Sequence, residues 1–175
     1  SDVWGYTDET GVEYAVVGYL SGTSIWDVST DSENPVEVAN FPGPSSGDYY
    51  YHRDYKTLGD VLYTVCEMHS GDMGMQVIDL SPLPDNPPVQ HPTYTEISQS
   101  HNLWIDPEGF AFIEHSWGDA IHIADLSNPL NPVYAGTFAD MGSNCHDVYT
   151  HNGIAYVSEG WDYQYGIYDI TDFSN

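Results

Sequence analysis

Apolar and polar positions along this chain alternate in short runs, and no stretch holds a helical period. Four runs end in the same way: Ile25-Trp26-Asp27-Val28-Ser29, Val77-Ile78-Asp79-Leu80-Ser81, Ile123-Ala124-Asp125-Leu126-Ser127 and Ile167-Tyr168-Asp169-Ile170-Thr171. After the first three comes Asn-Pro, at Asn34-Pro35, Asn86-Pro87 and Asn131-Pro132. About ten residues before each aspartate strand lies another β-rich run: Glu13 to Val17, Val61 to Val65, Phe110 to Ile113 and Ile154 to Val157. Turn sequences precede those runs, and Asn152-Gly153 is the strongest hairpin signal among them because both positions tolerate positive φ. A further strand precedes each turn (Val3 to Tyr6, Tyr51 to Lys56, Asn102 to Ile105, Asp147 to Thr150), and a fourth follows Asn-Pro, as at Val36 to Phe41 and Val133 to Phe138.

The unit is therefore four short antiparallel strands in about 45 residues, the size of a propeller blade. The expected fold class is all-β, a β-propeller of four-stranded antiparallel blades, with about four blades present over 1–45, 46–97, 98–142 and 143–175. A β-sandwich is the structural alternative, but it does not predict four aligned signatures. The fourth copy stops at Ser174-Asn175, where the next proline is expected, so the pattern reads as a piece of a larger ring or one completed by a second fragment. The four aspartates are expected to cap turn N–H groups, as Asp does in Asx-turns.

Charge changes the picture of partners. Among 175 residues there are 27 Asp and Glu against two basic residues, Arg53 and Lys56, a formal charge of −25. Such a surface repels phosphate backbones and anionic membranes, so neither nucleic acid nor membrane insertion is expected, and cations are the natural partner. A solvated acidic surface, as in salt-adapted proteins, accounts for most of the carboxylates; specific cation binding would account for a few. The two cysteines, Cys66 and Cys145, allow a disulfide, free thiols or metal ligation.

The opening Trp4-Gly5-Tyr6-Thr7-Asp8, the run Glu13-Tyr14-Ala15-Val16-Val17-Gly18 and the repeated hydrophobic-x-Asp-[Val/Ile/Leu]-[Ser/Thr] strand resemble the choice-of-anchor B family and its LVIVD repeat. His146-Asp147-Val148-Tyr149 and Ser100-His101-Asn102-Leu103 are similar to that family's blade-opening His-Asp-Val pattern. The resemblance covers nearly the whole chain. It implies a propeller of more blades on an extracellular or cell-surface protein, and says little about activity.

Aligning the repeats exposes candidate chemistry. The first strand of three units opens at His52, His101 and His146, and the next strand ends at Glu67, Glu114 and Glu159, thirteen to fifteen residues downstream. In antiparallel neighbours the start of one strand lies beside the end of the next, so each His is expected near its own Glu, on one face near the channel mouth. The following loops bring Asp72, Asp119, Asp162, His69 and His115 towards the same face. Three imidazoles with carboxylates suit Zn, Fe, Mn or Cu, and clustered oxygens suit Ca; no organic cofactor is expected. The plain alternative is that His and Glu satisfy backbone groups once per repeat. The first unit departs from the pattern, with Asp2-Val3-Trp4 in place of His and Gly18 in place of Glu, so any site is three-sided, drawn from the second to fourth units, or is completed by further blades.

Three functions follow as expectations. One is a secreted or surface binding module that takes a protein or glycan at the channel mouth, with cations. Another is a metalloenzyme in which the histidines hold the metal and a glutamate such as Glu114 orients them or acts as base. The third is a structural protein that self-assembles or is completed by further blades. No EF-hand, P-loop, nucleophile elbow or HExxH sequence is present to favour an enzyme class.

Overall fold

A computed structural model describes residues 2–43, 50–68, 74–114, 120–138, 145–159 and 164–172. They form four antiparallel sheets in chain order, with no helix among the described residues. The first holds β1 (Val3–Thr7), β2 (Glu13–Tyr19), β3 (Gly22–Asp27) and β4 (Val36–Pro42). The second holds β5 (Tyr50–Leu58), β6 (Val61–Met68), β7 (Gln76–Asp79) and β8 (Val89–Gln90). The third holds β9 (Leu103–Ile105), β10 (Phe110–Glu114), β11 (Ile121–Asp125) and β12 (Val133–Phe138). The last holds β13 (Cys145–His151), β14 (Ile154–Glu159) and β15 (Gln164–Asp169). Within each sheet strands pair in sequence order, as short hairpin connections require.

The period-2 alternation assigns each side chain to one of two faces, here termed onward (towards the next sheet) and return (towards the previous one). Tyr6, Tyr14, Val16 and Ile25 on the first sheet pack against Tyr55, Leu62 and Ile78 on the second. Val61, Tyr63, Val65 and Val77 on the second pack against Leu103, Ala111, Ile113 and Ala124 on the third. Phe112, Ile121 and Ile123 on the third pack against Val148, Ala155 and Val157 on the fourth. The core is thus three layers of the same kind, onward face on return face. Each fully buried large aliphatic or aromatic residue contributes about 1.5–3 kcal/mol through apolar area withdrawn from water.

Hydrogen bonds tie the layers together at equivalent places. The indole N–H of Trp4 donates to Thr57 Oγ1 at 3.1 Å, and that of Trp104 donates to Thr150 Oγ1 at 3.0 Å. Between the second and third sheets the buried Asp54 carboxylate accepts the Leu103 N–H at 2.9 Å and the Lys56 ammonium at 2.8 Å. First strands of successive sheets therefore abut, β1 on β5, β5 on β9 and β9 on β13.

The repeated aspartates cap turns. Asp27 accepts the N–H groups of Ser29 and Thr30, Asp79 that of Ser81, Asp125 that of Ser127 and Asp169 that of Thr171, at 2.7–3.0 Å. The hairpin between β13 and β14 turns on Asn152 (φ 51°) and Gly153 (φ 74°), both left-handed. A Cβ on Gly153 would also stand 2.7 Å from Thr171 Cγ2. Gly153→Ala is expected to cost about 1–2 kcal/mol, read as a lowered urea midpoint with unchanged slope.

Candidate metal centre

Packing first strand against first strand brings the three opening histidines into one row. The His52 and His101 rings have centroids 4.6 Å apart, and so do the His101 and His146 rings. His52 is on β5 and His146 on β13, while His101 stands just before β9. The pairing register shifts between Tyr50 and His52 and between Cys145 and Asp147, so a bulge adjoins or contains two of the three histidines. Bulges re-aim side chains at strand ends, which is how residues on separate sheets come to converge.

The glutamates do not each serve their own histidine. Glu67 Oε2 lies 2.8 Å from His101 Nδ1, across the boundary to the next sheet, and 3.9 Å from His52 Nε2 on its own. Glu114 instead accepts the backbone N–H of His101 at 2.8 Å. Glu159 is held by Gln164 Nε2 at 2.7 Å and by the Tyr168 hydroxyl. His52, Glu67 and His101 thus form the convergent set, with ligand atoms all within 4.8 Å of one another. His146 extends the row from its His101 side. Asp72, Asp119, Asp162, His69 and His115 lie outside the described residues.

Two of the expected pairs hold, with Glu67 3.9 Å from His52 and Glu114 on the His101 N–H, and the shorter contact of Glu67 to His101 has a geometric reason. Strand register places Glu67 opposite His52, but the twist of the sheets and the gap between them let a glutamate near a strand end reach the neighbouring first strand. The sharing of Glu67 leaves no mark in a single repeat. Gln164, directly across from Glu159 in the β14–β15 hairpin, could have been matched to it from the hairpin alone.

Burial grades the site from outside inwards. The His52 side chain is 51% exposed, that of His101 23% and that of Glu67 16%. Burial, and next the neighbouring His101, hold the His52 pKa below its ordinary value against the opposing pull of Glu67, which keeps the ring neutral and able to ligate. Glu114 is fully buried, and burial pushes its carboxyl up to about 8, with Glu67 adding to the rise.

Cys66 and Cys145 are both buried free thiols. Burial raises both pKa values, so without a metal both are protonated thiols. The first sheet carries no counterpart. There the Gly18 N–H donates to Asp2 O at 3.0 Å, and a Cβ on residue 18 would stand 2.8 Å from the Tyr55 hydroxyl. Glycine is needed for Tyr55 to pack, which excludes a glutamate.

Sequence reasoning also passed over a second polar cluster on the outer rim. Tyr94 Oη is 2.6 Å from His122 Nε2, and Tyr134 packs on the His122 ring at 4.9 Å. Tyr94 and Tyr134 border a cleft of about 300 Å³ with Pro92, Glu96 and Pro132. These residues occur once each and have no repeat-wide signal.

No protein-family model matches this chain. No curated protein matches it either.

Proposed function

We propose that this chain is a β-propeller-type binding module that holds a divalent transition metal between His52, Glu67 and His101, and presents it to a partner at the mouth formed by the first strands. The observation that carries the reading is the convergence of two imidazoles and one carboxylate from two sheets within a 4.8 Å span. Two nitrogens and one oxygen suit Zn, Fe, Mn or Cu, whereas Ca prefers six to eight oxygens. The net charge of −25 raises the local concentration of any cation. A propeller is supported by the serial sheets, their repeated onward-on-return packing and the meeting of their first strands. The extracellular or cell-surface setting rests on the resemblance to the choice-of-anchor B family.

Equilibrium dialysis of the chelator-treated protein against Zn, Mn and Ca is the test. One equivalent of Zn or Mn is expected to bind, with Ca much weaker, and saturation at about a hundredfold excess over Kd should raise the Tm by about 5–10 °C. Absence of both stoichiometric binding and a thermal shift would overturn the reading.

A further inference from the structure

The outer strands of the first and third sheets bulge at the same place. Ile25 pairs with Ala39 and Trp26 with Glu37, while Ile123 pairs with Gly136 and Ala124 with Tyr134. The extra residues are Val38 and Ala135. This register makes Ser24, Glu37 and Asn40 equivalent to His122, Tyr134 and Thr137. In the first sheet the three form a self-satisfied polar set, in which Glu37 Oε1 accepts the Ser24 hydroxyl at 2.6 Å and the Asn40 amide at 2.8 Å. In the third sheet the same positions carry an aromatic stack. The His122 ring lies 4.9 Å from that of Tyr134 and 5.7 Å from that of Tyr94, which follows β8. Tyr94 Oη stands 2.6 Å from His122 Nε2, and Tyr134 Oη 3.1 Å from Thr137 Oγ1. The Tyr134 ring is therefore held along its face and at its hydroxyl, yet it is 55% exposed.

This ring is one wall of the rim cleft between the second and third sheets, whose other walls include Tyr94, Pro92, Pro132 and Glu96. Burial first, then Glu96 and Tyr134, push the Tyr94 hydroxyl above its ordinary value, so both stand within electrostatic reach of that phenol. Glu96 is exposed, and no lysine or arginine lines the cleft. The two basic residues of the chain, Arg53 and Lys56, are both on β5. A carboxylate and a fixed aromatic face thus share one concave site, on a molecule whose charge of −25 gathers cations and turns anions away.

We propose that this cleft binds a small quaternary ammonium ion, its methyl groups against the Tyr134 ring and its charge facing Glu96. The kind of cation follows from the walls. A hard metal ion is held by a shell of oxygen ligands, and a primary ammonium by several hydrogen-bond acceptors. A tyrosine face between two prolines supplies neither. A methylated ammonium has no N–H to satisfy and spreads its charge over its methyl groups, which is the cation an aromatic face attracts. Thr95 and Asn131, also on the lining, offer hydrogen-bond partners to a polar tail on such an ion. A cleft of about 300 Å³ is at the small end of ligand sites, enough for a whole small ion. The site is built on the outer strands and the metal centre on the first strands, so the inference does not depend on that centre.

NMR titration of the whole chain, freed of metal and in ~0.1 M NaCl, tests it with choline and with its uncharged isostere 3,3-dimethylbutan-1-ol. Choline is expected to bind with a dissociation constant on the order of 1 mM, and the isostere about tenfold more weakly or worse. Tyr134→Ala should weaken choline about tenfold, while Tyr134→Phe, which keeps the ring, should stay within about threefold of the wild type. Glu96→Gln should weaken it by about three- to tenfold. Both positions are exposed, so folding is retained and is checked by circular dichroism. Tyr165→Ala removes a tyrosine that is 78% exposed on the fourth sheet and should change nothing. Absence of choline binding would overturn the proposal, as would equal binding of the isostere. So would a loss in Tyr165→Ala equal to that in Tyr134→Ala, or indifference to Tyr134→Ala. A trimethyl-lysine peptide that binds more tightly than choline would replace the small ion with a protein side chain and overturn the assignment as stated.

Discussion

His101→Ala should weaken Zn or Mn binding about 100-fold or more, the largest effect of any single change at the site. His101 is the ring that stands between the other two histidines and the one whose Nδ1 meets Glu67 at 2.8 Å. Removing it breaks the ligand set and takes away the imidazole that orients the carboxylate. His146→Ala provides the comparison. Its ring packs on His101 without belonging to the convergent set, so its loss should change affinity by less than about tenfold. Isothermal titration of the three proteins at one pH is the measurement. Equal losses for His101→Ala and His146→Ala would mean that the metal sits between the second pair of rings. No loss for His101→Ala would remove the proposed centre.

Glu114→Gln should flatten the dependence of stability on pH. The carboxyl is buried and its folded pKa of about 8 is raised above the ordinary value near 4.5. A raised pKa means that the folded state holds the proton more tightly than the unfolded chain. The stability this contributes is complete below about pH 4.5 and is lost as pH rises through the window to about 8. Glutamine keeps a carbonyl oxygen for the His101 N–H and cannot ionise. The wild type is therefore expected to lose on the order of a few kcal/mol more than the variant between pH 5 and pH 8, in metal-free urea titrations. Parallel pH profiles for the two proteins would show that Glu114 ionises in the fold at its ordinary pKa. Because the side chain touches the backbone of His101, the same substitution also reports how firmly the ligand loop is held.

Much of this protein was legible in its residues. Short β-rich runs between turn residues located every described sheet, because a strand with one solvated face carries a period of two and one packed on both faces reads as a short continuous apolar run. The four aspartates announced their turns, since a short carboxylate after an apolar strand has N–H groups two and three residues ahead within reach. Asn152-Gly153 announced its hairpin through the φ values that only such residues adopt readily. The gathering of His52, His101 and His146 followed from their common place at the start of first strands.

What sequence alone could not decide lies between sheets. Local register pairs His52 with Glu67, but it is sheet-to-sheet packing that carries Glu67 to His101 and leaves Glu114 on a backbone N–H. The pairing of the cysteines was open as well, and the fold leaves them as two separate buried thiols. Exposure belongs to the same class. Tyr156 and Ile167 follow the same strand pattern as their buried counterparts, and only the three-dimensional arrangement shows that no described sheet covers them. Strand identity and turn chemistry come from interactions over a few residues, which a sequence displays directly. Ligand sharing, thiol pairing and free faces come from contacts between units some fifty residues apart, and those exist only once the sheets have packed.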